Sequence, residues 1–307
     1  MYFLTEEERK QLLRGLLPKA RELGVAEELR GWNWPLPPLA PVYEVHLALY
    51  EVANAYCPTG RDLYLRRVQG EVVKPSLPML QGAIFHNALT HLLVATKRII
   101  YTVGVNNYQD IIDRIGKEIP YSVNSWKPEI AAEEYTNIEQ KVEIITAFEK
   151  SRIIARIQEI LIKQPYIGED SLVNLAVPVV VEQKLDGSFL GLSPNLSTDA
   201  FVFSEPMIID LKFGRPQNFH RLTTAGYALV MEAIHEFPIN IGCLVYAEFK
   251  DNRLIIKKDI HIISDELRQW FCEARDEKAR LVAEEIDPGL ADNCPRFCPY
   301  YVLCKGN

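Results

Sequence analysis

In PMIIDLKFG, residues 206–214, Asp210 and Lys212 stand two apart in an otherwise apolar or small-residue run. In a strand, side chains alternate between faces, so Asp210 and Lys212 share one face while Ile209, Leu211 and Phe213 take the other. Eleven residues earlier, STDAFVF sets Asp199 on what reads as the neighbouring strand. Two carboxylates and an ammonium converging on one sheet face suit metal-assisted phosphodiester hydrolysis. Hard oxygens hold Mg²⁺ or Mn²⁺, the ion activates water, and the lysine steadies that water or the developing phosphate charge. Asp-x-Lys is a common pattern, and taken alone it fits an exposed strand face with one solvated ion pair better than a catalytic site.

A second group of reactive residues closes the chain. NCPRFCPYYVLC places Cys294, Cys298 and Cys304 in a C-x₃-C-x₅-C pattern, and YCPTGRDLYLRRV offers Cys57, also followed by proline, as a distant fourth. Cys243, in the apolar run GCLVYAEF, and Cys272, on a helix, read as ordinary buried thiols. The start, MYFLTEEERKQLL, is charged within six residues and resembles no targeting signal. No apolar run reaches the roughly 20 residues of a membrane span. A cytoplasmic protein with no membrane partner is therefore expected. In that compartment thiols stay reduced, and a cysteine cluster more often holds metal than forms disulfides. Four thiolates suit zinc or an iron–sulphur cluster, and spacing does not separate the two.

Elements of both classes must position these residues. The first half reads as helical, with apolar residues at helical spacing from about Pro78 to Tyr101 and a long Glu-, Lys- and Ile-rich pattern from about Pro128 to Lys163. The segment GWNWPLPPLAP between the opening helix and the body suggests extended chain packed on the surface. From about residue 171 the texture changes to short β-branched runs: VPVVVEQKLDG, STDAFVF and PMIIDLKFG as consecutive strands. A helix from about Asn218 to His235 follows, then strands NIGCLVYAEF and RLIIKKDIHII joined by an Asp-Asn turn, then a helix from Ser264 to about Glu285. The reading is an α/β body: a helical region 1–170 contributing Cys57 and His86, a sheet-bearing core 171–288, and a cysteine-rich tail 289–307 packed on the N-terminal region.

With 34 Lys and Arg against 41 Asp and Glu, the net charge is −7. That excludes a sequence-independent nucleic-acid coat protein, but not an enzyme that needs carboxylates for metal and only a local basic path. Arg61, Arg66 and Arg67, Lys97 with Arg98, and Arg215 are the candidates for that path, although any one of them taken alone reads better as solvated surface charge. The long polar helix near 128–163 exceeds what a nuclease core needs and is a candidate for docking a protein partner.

The order helix, three strands with Asp and then Asp-x-Lys, helix resembles the PD-(D/E)XK (restriction-endonuclease-like) core, and specifically its RecB-like branch. QGAIFHNAL supplies His86 where that branch carries a helical histidine, and Glu182 and Gly191 precede Asp199 as they often do there. With the cysteine pattern and the run ELRGWNWPLPP…YEVANAYCPTGRDLYLRR, the chain resembles the iron–sulphur, RecB-like exonucleases associated with CRISPR adaptation, in their archaeal type I-A form. The resemblance implies a mixed-sheet nuclease core with an N-terminal helical elaboration and a C-terminal iron–sulphur clasp. It implies a metal site of His86, Asp199, Asp210 and Leu211 holding Mg²⁺ or Mn²⁺, catalysis by Asp199, Asp210, Lys212 and Tyr227, and a 4Fe–4S cluster on Cys57, Cys294, Cys298 and Cys304. The implied activity is a DNA exonuclease acting on single-stranded ends before spacer integration, with the CRISPR integrase and other adaptation proteins as partners. One position departs: the branch carries Gln-x-x-x-Tyr after the lysine strand, and HRLTTAGYALVME keeps Tyr227 but has Thr223 in place of the glutamine. That leaves room for a catalytically weak nuclease fold that binds DNA or the integrase, and the cysteines alone also fit a zinc-stapled interaction protein.

Overall fold

The computed structural model describes residues 1–307 except Asn252, Pro295 and Asn307. In chain order the helical region comprises α1 (Glu6–Gln11), α2 (Leu17–Leu23), α3 (Leu49–Ala53), α4 (Arg61–Arg67), α5 (Leu77–Val103), α6 (Tyr108–Lys117), α7 (Ala132–Lys163) and α8 (Glu169–Ala176). The strands are β1 (Val180–Leu185), β2 (Leu196–Val202), β3 (Met207–Lys212), β4 (Ile241–Lys250) and β5 (Arg253–Ile262). Helix α9 (Arg221–His235) connects β3 to β4, α10 (Asp265–Ala283) follows β5, and a short α11 (Tyr301–Lys305) lies in the tail. The Asp-Asn turn between β4 and β5 is described only at Asp251, and of the prolines following the cysteines Pro295 lies outside the described residues.

Among the described residues the strands form one five-stranded sheet in the order β1-β2-β3-β4-β5. All neighbours are antiparallel except β3 and β4. A parallel pair cannot be joined by a tight turn, and α9 supplies the crossover. Its close approach to the sheet requires a glycine: a Cβ at Gly242 would stand 2.7 Å from the Thr224 hydroxyl oxygen and from His261 Nε2.

Two apolar layers cover the sheet. On one face Ile209, Leu211, Cys243 and Val245 pack with α5, α7 and α8; on the other Phe201 and Ile208 pack with α3, α9 and α10. Because β3 is covered on both sides, Met207 to Leu211 are all buried, Asp210 included. Helix α5 starts with proline in its first turn, ends at Gly104 in a positive-φ conformation, and buries Leu80, Ile84, Phe85, Leu89, Leu92 and Leu93 on one stripe.

One expectation needs correcting. The GWNWPLPPLAP segment is a series of 3₁₀ and turn residues rather than extended chain. Its neighbour Arg30 explains the geometry: the guanidinium bonds to Glu232 at 2.8 Å and Asn240 at 2.7 Å, while the Gly31 amide donates to Glu232 at 2.9 Å. Glu232 is fully buried and also takes two bonds from Arg268, at 2.7 and 2.9 Å. The chain must coil to bring Arg30 into that network. The long helix α7 buries Ile138, Val142, Ile145, Ile153 and Ile157 as a stripe against α5 and leaves most of its charged residues outside that stripe. Its length covers core.

Candidate functional site

The functional geometry begins where a ladder stops. Strands β2 and β3 pair at Ala200–Ile209, Phe201–Ile208 and Val202–Met207. The next rung in that register would set Asp199 opposite Asp210, but there the backbones part. The Leu211 amide, freed from the ladder, donates instead to Asp199 Oδ2 at 2.9 Å. On the other side of β2, Glu182 stands opposite Asp199 in the β1–β2 register and adopts a φ of +51°, a left-handed conformation that a residue with a side chain reaches only at a cost of order 1–2 kcal/mol. Its carboxylate accepts from the Ser197 hydroxyl at 2.7 Å. Strain and a broken rung thus fall on the same three acidic positions.

Into this gap α5 delivers His86 from the opposite layer. Its Nε2 lies 2.9 Å from the Leu211 carbonyl oxygen, which can only accept, so Nε2 carries hydrogen. Nδ1 lies 2.8 Å from the Tyr2 hydroxyl and 3.5 Å from Asp199 Oδ2. Leu211, whose only donor to a metal is that carbonyl, is therefore adjacent to both His86 and Asp199. Neighbouring donors around an octahedral Mg²⁺ stand roughly 3 Å apart, given ligand distances of ~2.0–2.1 Å. The His86–Leu211 contact as it stands is a hydrogen bond, and Nε2 ligates a cation only after giving up that hydrogen. Asp210 Oδ2 is buried with no hydrogen-bond partner among the described residues, although Lys212 Nζ comes within 2.9 Å of it at poor angle. An orphaned, buried carboxylate oxygen beside these donors is suited to a hard cation. No three His, Cys, Asp or Glu side chains among the described residues form a closed metal cage, so seating an ion requires small side-chain movements.

Electrostatics follow from the crowding. Burial, reinforced by Asp210, pushes the Asp199 carboxyl up to about 6, against the opposing pull of His86, Lys212 and the Leu211 amide. For Lys212, burial alone would lower the ammonium, but Asp210 and Asp199 outweigh it and hold it above its ordinary value. Tyr227, on α9, donates its hydroxyl to the Ser197 carbonyl. Burial, then the charges of Asp199, Asp210 and Glu182, raise the phenol far enough to keep it protonated. Thr223, at the departing position, is buried.

Sequence reasoning missed four neighbours. Tyr2 fixes His86, and no spacing rule links the second residue to a helix more than eighty positions on. His220 sits between the hydroxyls of Tyr56, at 3.0 Å, and Tyr246, at 3.2 Å. Burial and then the Lys212 cation push His220 down to about 4. Tyr246 is the β4 partner of Lys212, which a strand register could have indicated.

The cysteines form a second locus. Cys57, Cys294, Cys298 and Cys304 are all free thiols and none is fully buried. The tail lies against the α4 region: Arg61 forks onto Asp287 at 2.9 Å, Thr59 Oγ1 donates to the Gly289 carbonyl at 3.0 Å, and Lys305 bonds to the Ala291 carbonyl at 3.0 Å. The thiols sense one another. Burial pushes Cys298 up to about 11, with Cys294 and Cys57 adding to the shift, and Cys304 rises by burial and by the same two neighbours. Among the described residues no three of these thiols stand close enough to hold a metal ion without movement. Cys243 and Cys272 lie elsewhere, fully buried, and burial pushes them up to about 12 and about 11. Tyr56 joins the two loci, its ring edge-on to Phe297 of the tail and to His220 of the acidic site, each at 6.0 Å between centroids.

The proposed basic margin is mostly spent internally. Arg61 is paired with Asp287, and Arg66 with Glu51 at 2.9 Å. Arg67 holds the His46 carbonyl. Arg215, exposed on the loop after β3, has no ion-pair partner among the described residues.

No helix among the described residues is long and apolar enough to cross a membrane. A family model described as CRISPR-associated exonuclease Csa1 matches residues 1–307. A CRISPR-associated exonuclease Csa1 of Saccharolobus solfataricus is 34% identical over 289 residues, covering 94% of each chain. Another of Thermoproteus tenax is 30% identical over 302 residues, covering 98% of this chain and 99% of the relative. A solved structure described as the crystal structure of SSO0001 aligns with 56% of this chain and 78% of its own at 14% identity, with a TM-score of 0.27, too low to inform the fold.

Proposed function

The chain belongs to the CRISPR-associated exonuclease Csa1 family, and from that premise we propose that it is a metal-dependent deoxyribonuclease with a RecB-like PD-(D/E)XK core. On this reading it trims single-stranded DNA ends before spacer integration, alongside the CRISPR integrase and other adaptation proteins. The observation that carries the reading is the broken rung: Asp199, Asp210, His86 and the Leu211 carbonyl gather where β2 and β3 part.

His86, Asp199, Asp210 and the Leu211 carbonyl would hold Mg²⁺ or Mn²⁺. A divalent ion there supplies activation of water and neutralisation of charge at the scissile phosphodiester. The remaining work belongs to the chain. Lys212, cationic and held against Asp210, faces the developing negative charge on the phosphoryl oxygens, where one preorganised donor is worth about 10²–10³ in rate. Tyr227 braces the β2 backbone at Ser197, next to the carboxylates. Tyr2 sets the ring orientation of His86. Cys57, Cys294, Cys298 and Cys304 would hold a 4Fe–4S cluster, tying the tail to the α4 region; zinc on the same thiolates is the alternative.

The competing reading is a weakened nuclease fold that only binds DNA or the integrase, and its support is Thr223. One assay decides: digestion of 5′- and 3′-labelled single-stranded DNA by anaerobically purified protein, with Mg²⁺ or Mn²⁺ against EDTA and with Asp210→Ala as control. A metal-dependent ladder lost in Asp210→Ala supports the nuclease. No hydrolysis in either metal, or equal hydrolysis by Asp210→Ala, overturns it.

A further inference from the structure

Beside the acidic site, a groove of about 500 Å³ runs along edge strand β5 between the start of α9 and the face of α10. That volume falls in the roughly 300–1,000 Å³ range of ligand sites. Gln217, Asn218, Arg221, Tyr246, Lys257 and Trp270 are among its lining. Tyr246 is the wall it shares with the acidic site, since its hydroxyl bonds to His220 while its strand position pairs with Lys212 on one side and Lys257 on the other. Adjacent strands lie about 4.8 Å apart, so Lys257 stands roughly 10 Å across the sheet from Lys212, one to two nucleotide steps of a single strand.

The lining has the composition that single-stranded nucleic acid favours: a ring to stack on and cations to follow the backbone. Trp270 keeps 40% of its surface exposed, unusual for the largest side chain on an otherwise well-packed helix. Lys257 is exposed and has no ion-pair partner among the described residues. Arg221 is held rigid by a two-point bond to Asp259, both at 2.8 Å, which also cancels that acid. The remaining acid of the lining, Glu266, belongs to the first turn of α10, at the end away from Tyr246. The amides of Gln217 and Asn218 add donors and acceptors able to meet a base edge.

We propose that this groove is the subsite for the nucleotide adjoining the scissile phosphate of a single-stranded DNA, with Trp270 stacking on its base and Lys257 meeting its phosphate. The proposal rests on the nuclease reading above and adds to it the path by which the strand reaches the metal-binding residues. It also accounts for the exposure of Trp270 and the unpaired charge of Lys257, which neither packing nor the acidic site requires.

Fluorescence anisotropy of a labelled twelve-nucleotide single strand in EDTA, where nothing is cut, tests it. Trp270→Ala should weaken binding by roughly 5- to 100-fold, the range for loss of one base–aromatic stack, while Trp270→Phe retains most of the affinity. Lys257→Gln, at an exposed position that does not endanger folding, should lower the salt slope by about 0.7. In hydrolysis assays both should raise KM far more than they lower kcat. Binding and salt slope within error of wild type in both Trp270→Ala and Lys257→Gln, while wild-type protein cuts DNA in a metal-dependent way, overturns the subsite and leaves the nuclease reading standing. Wild-type protein that binds the strand, loses that binding in Trp270→Ala, yet cuts nothing in any metal would support the groove and sink the nuclease.

Discussion

The Leu211 amide donates to Asp199 Oδ2 at 2.9 Å, replacing the backbone rung that the β2–β3 ladder lacks at this point. One carboxylate therefore both satisfies the backbone at the opening and lines the proposed metal site. Its two duties separate by substitution. In Asp199→Asn the amide oxygen still accepts from Leu211, so melting should stay within about 2 °C of wild type, a shift worth roughly 1 kcal/mol in a chain of this length. DNA hydrolysis should fall by about 10²–10³, as for loss of one preorganised charge. Full activity in Asp199→Asn would remove the residue from the site.

Protonation of Asp199 competes with metal. Its carboxyl is raised to about 6, chiefly by burial, so in metal-free protein it favours the folded state below its ordinary value of 3.8 and loses that contribution as pH rises through 6. A cation reverses the sign by paying for the ionised form. The rise in melting temperature produced by Mn²⁺ should thus be larger at pH 7 than at pH 5, and should vanish in Asp199→Asn at both. Equal shifts at the two pH values would place the ion elsewhere.

His220 pulls the other way. Burial and Lys212 hold it down to about 4, so its stabilising effect is complete above the unfolded value of about 6.5 and is lost as pH falls toward 4. The difference between His220→Gln and wild type isolates this from the opposing Asp199 term. Wild type should lose, relative to the variant, on the order of 3 kcal/mol between pH 7 and pH 4 at most. Parallel pH–stability curves for the two proteins would show that His220 is not held neutral.

The strands, their order and the shared face of Asp210 and Lys212 were legible because alternation in β3 and the short β-branched runs are local signals. So were α5 and α9, from apolar spacing. The contorted segment after α2 was not, because its shape is dictated by Arg30 reaching Glu232 across more than two hundred residues. The polar surface of α7 masked a buried stripe that is only five residues deep in a helix of 32. At the candidate site, the carboxylates stood out by type and order and His86 only through the family resemblance, whereas Tyr2, Tyr56 and His220 are ordinary in sequence and come to the site only through packing. The engagement of the basic candidates was hidden for a related reason: Arg61, Arg66 and Arg67 look free in a string and are paired in the fold.

The Glu232 network predicts a stability defect without a primary catalytic one. Arg268 and Glu232 are both fully buried, and removing one partner of such a pair typically costs about 3–5 kcal/mol because the other charge is stranded. Arg268→Met should lower the urea midpoint accordingly, while the folded fraction binds Mn²⁺ with unaltered affinity. A midpoint equal to wild type would mean that Arg30 alone compensates Glu232.

Cys57 lies next to Tyr56, and Tyr56 contacts both the tail, through Phe297, and His220 beside Lys212. Whatever fixes Cys57 therefore also fixes one wall of the acidic site. A cluster joining Cys57 to Cys294, Cys298 and Cys304 closes a loop over most of the chain, which by analogy with a cross-link removes unfolded-state entropy worth about 5 kcal/mol, against a typical domain stability of about 5–15 kcal/mol. Anaerobic protein should be brown, with broad visible absorption and iron near four atoms per chain, the content of a 4Fe–4S cluster. Cys57→Ser should lose the colour, melt earlier and lose DNA hydrolysis as a consequence, whereas Tyr56→Phe should keep the colour and show only the changed His220 environment, read as a shifted pH–stability curve. Colourless, stable wild-type protein carrying one zinc would replace the cluster by zinc on the same thiolates. Colour and stability retained in Cys57→Ser would put the fourth ligand elsewhere and break the proposed link between the tail and the acidic site.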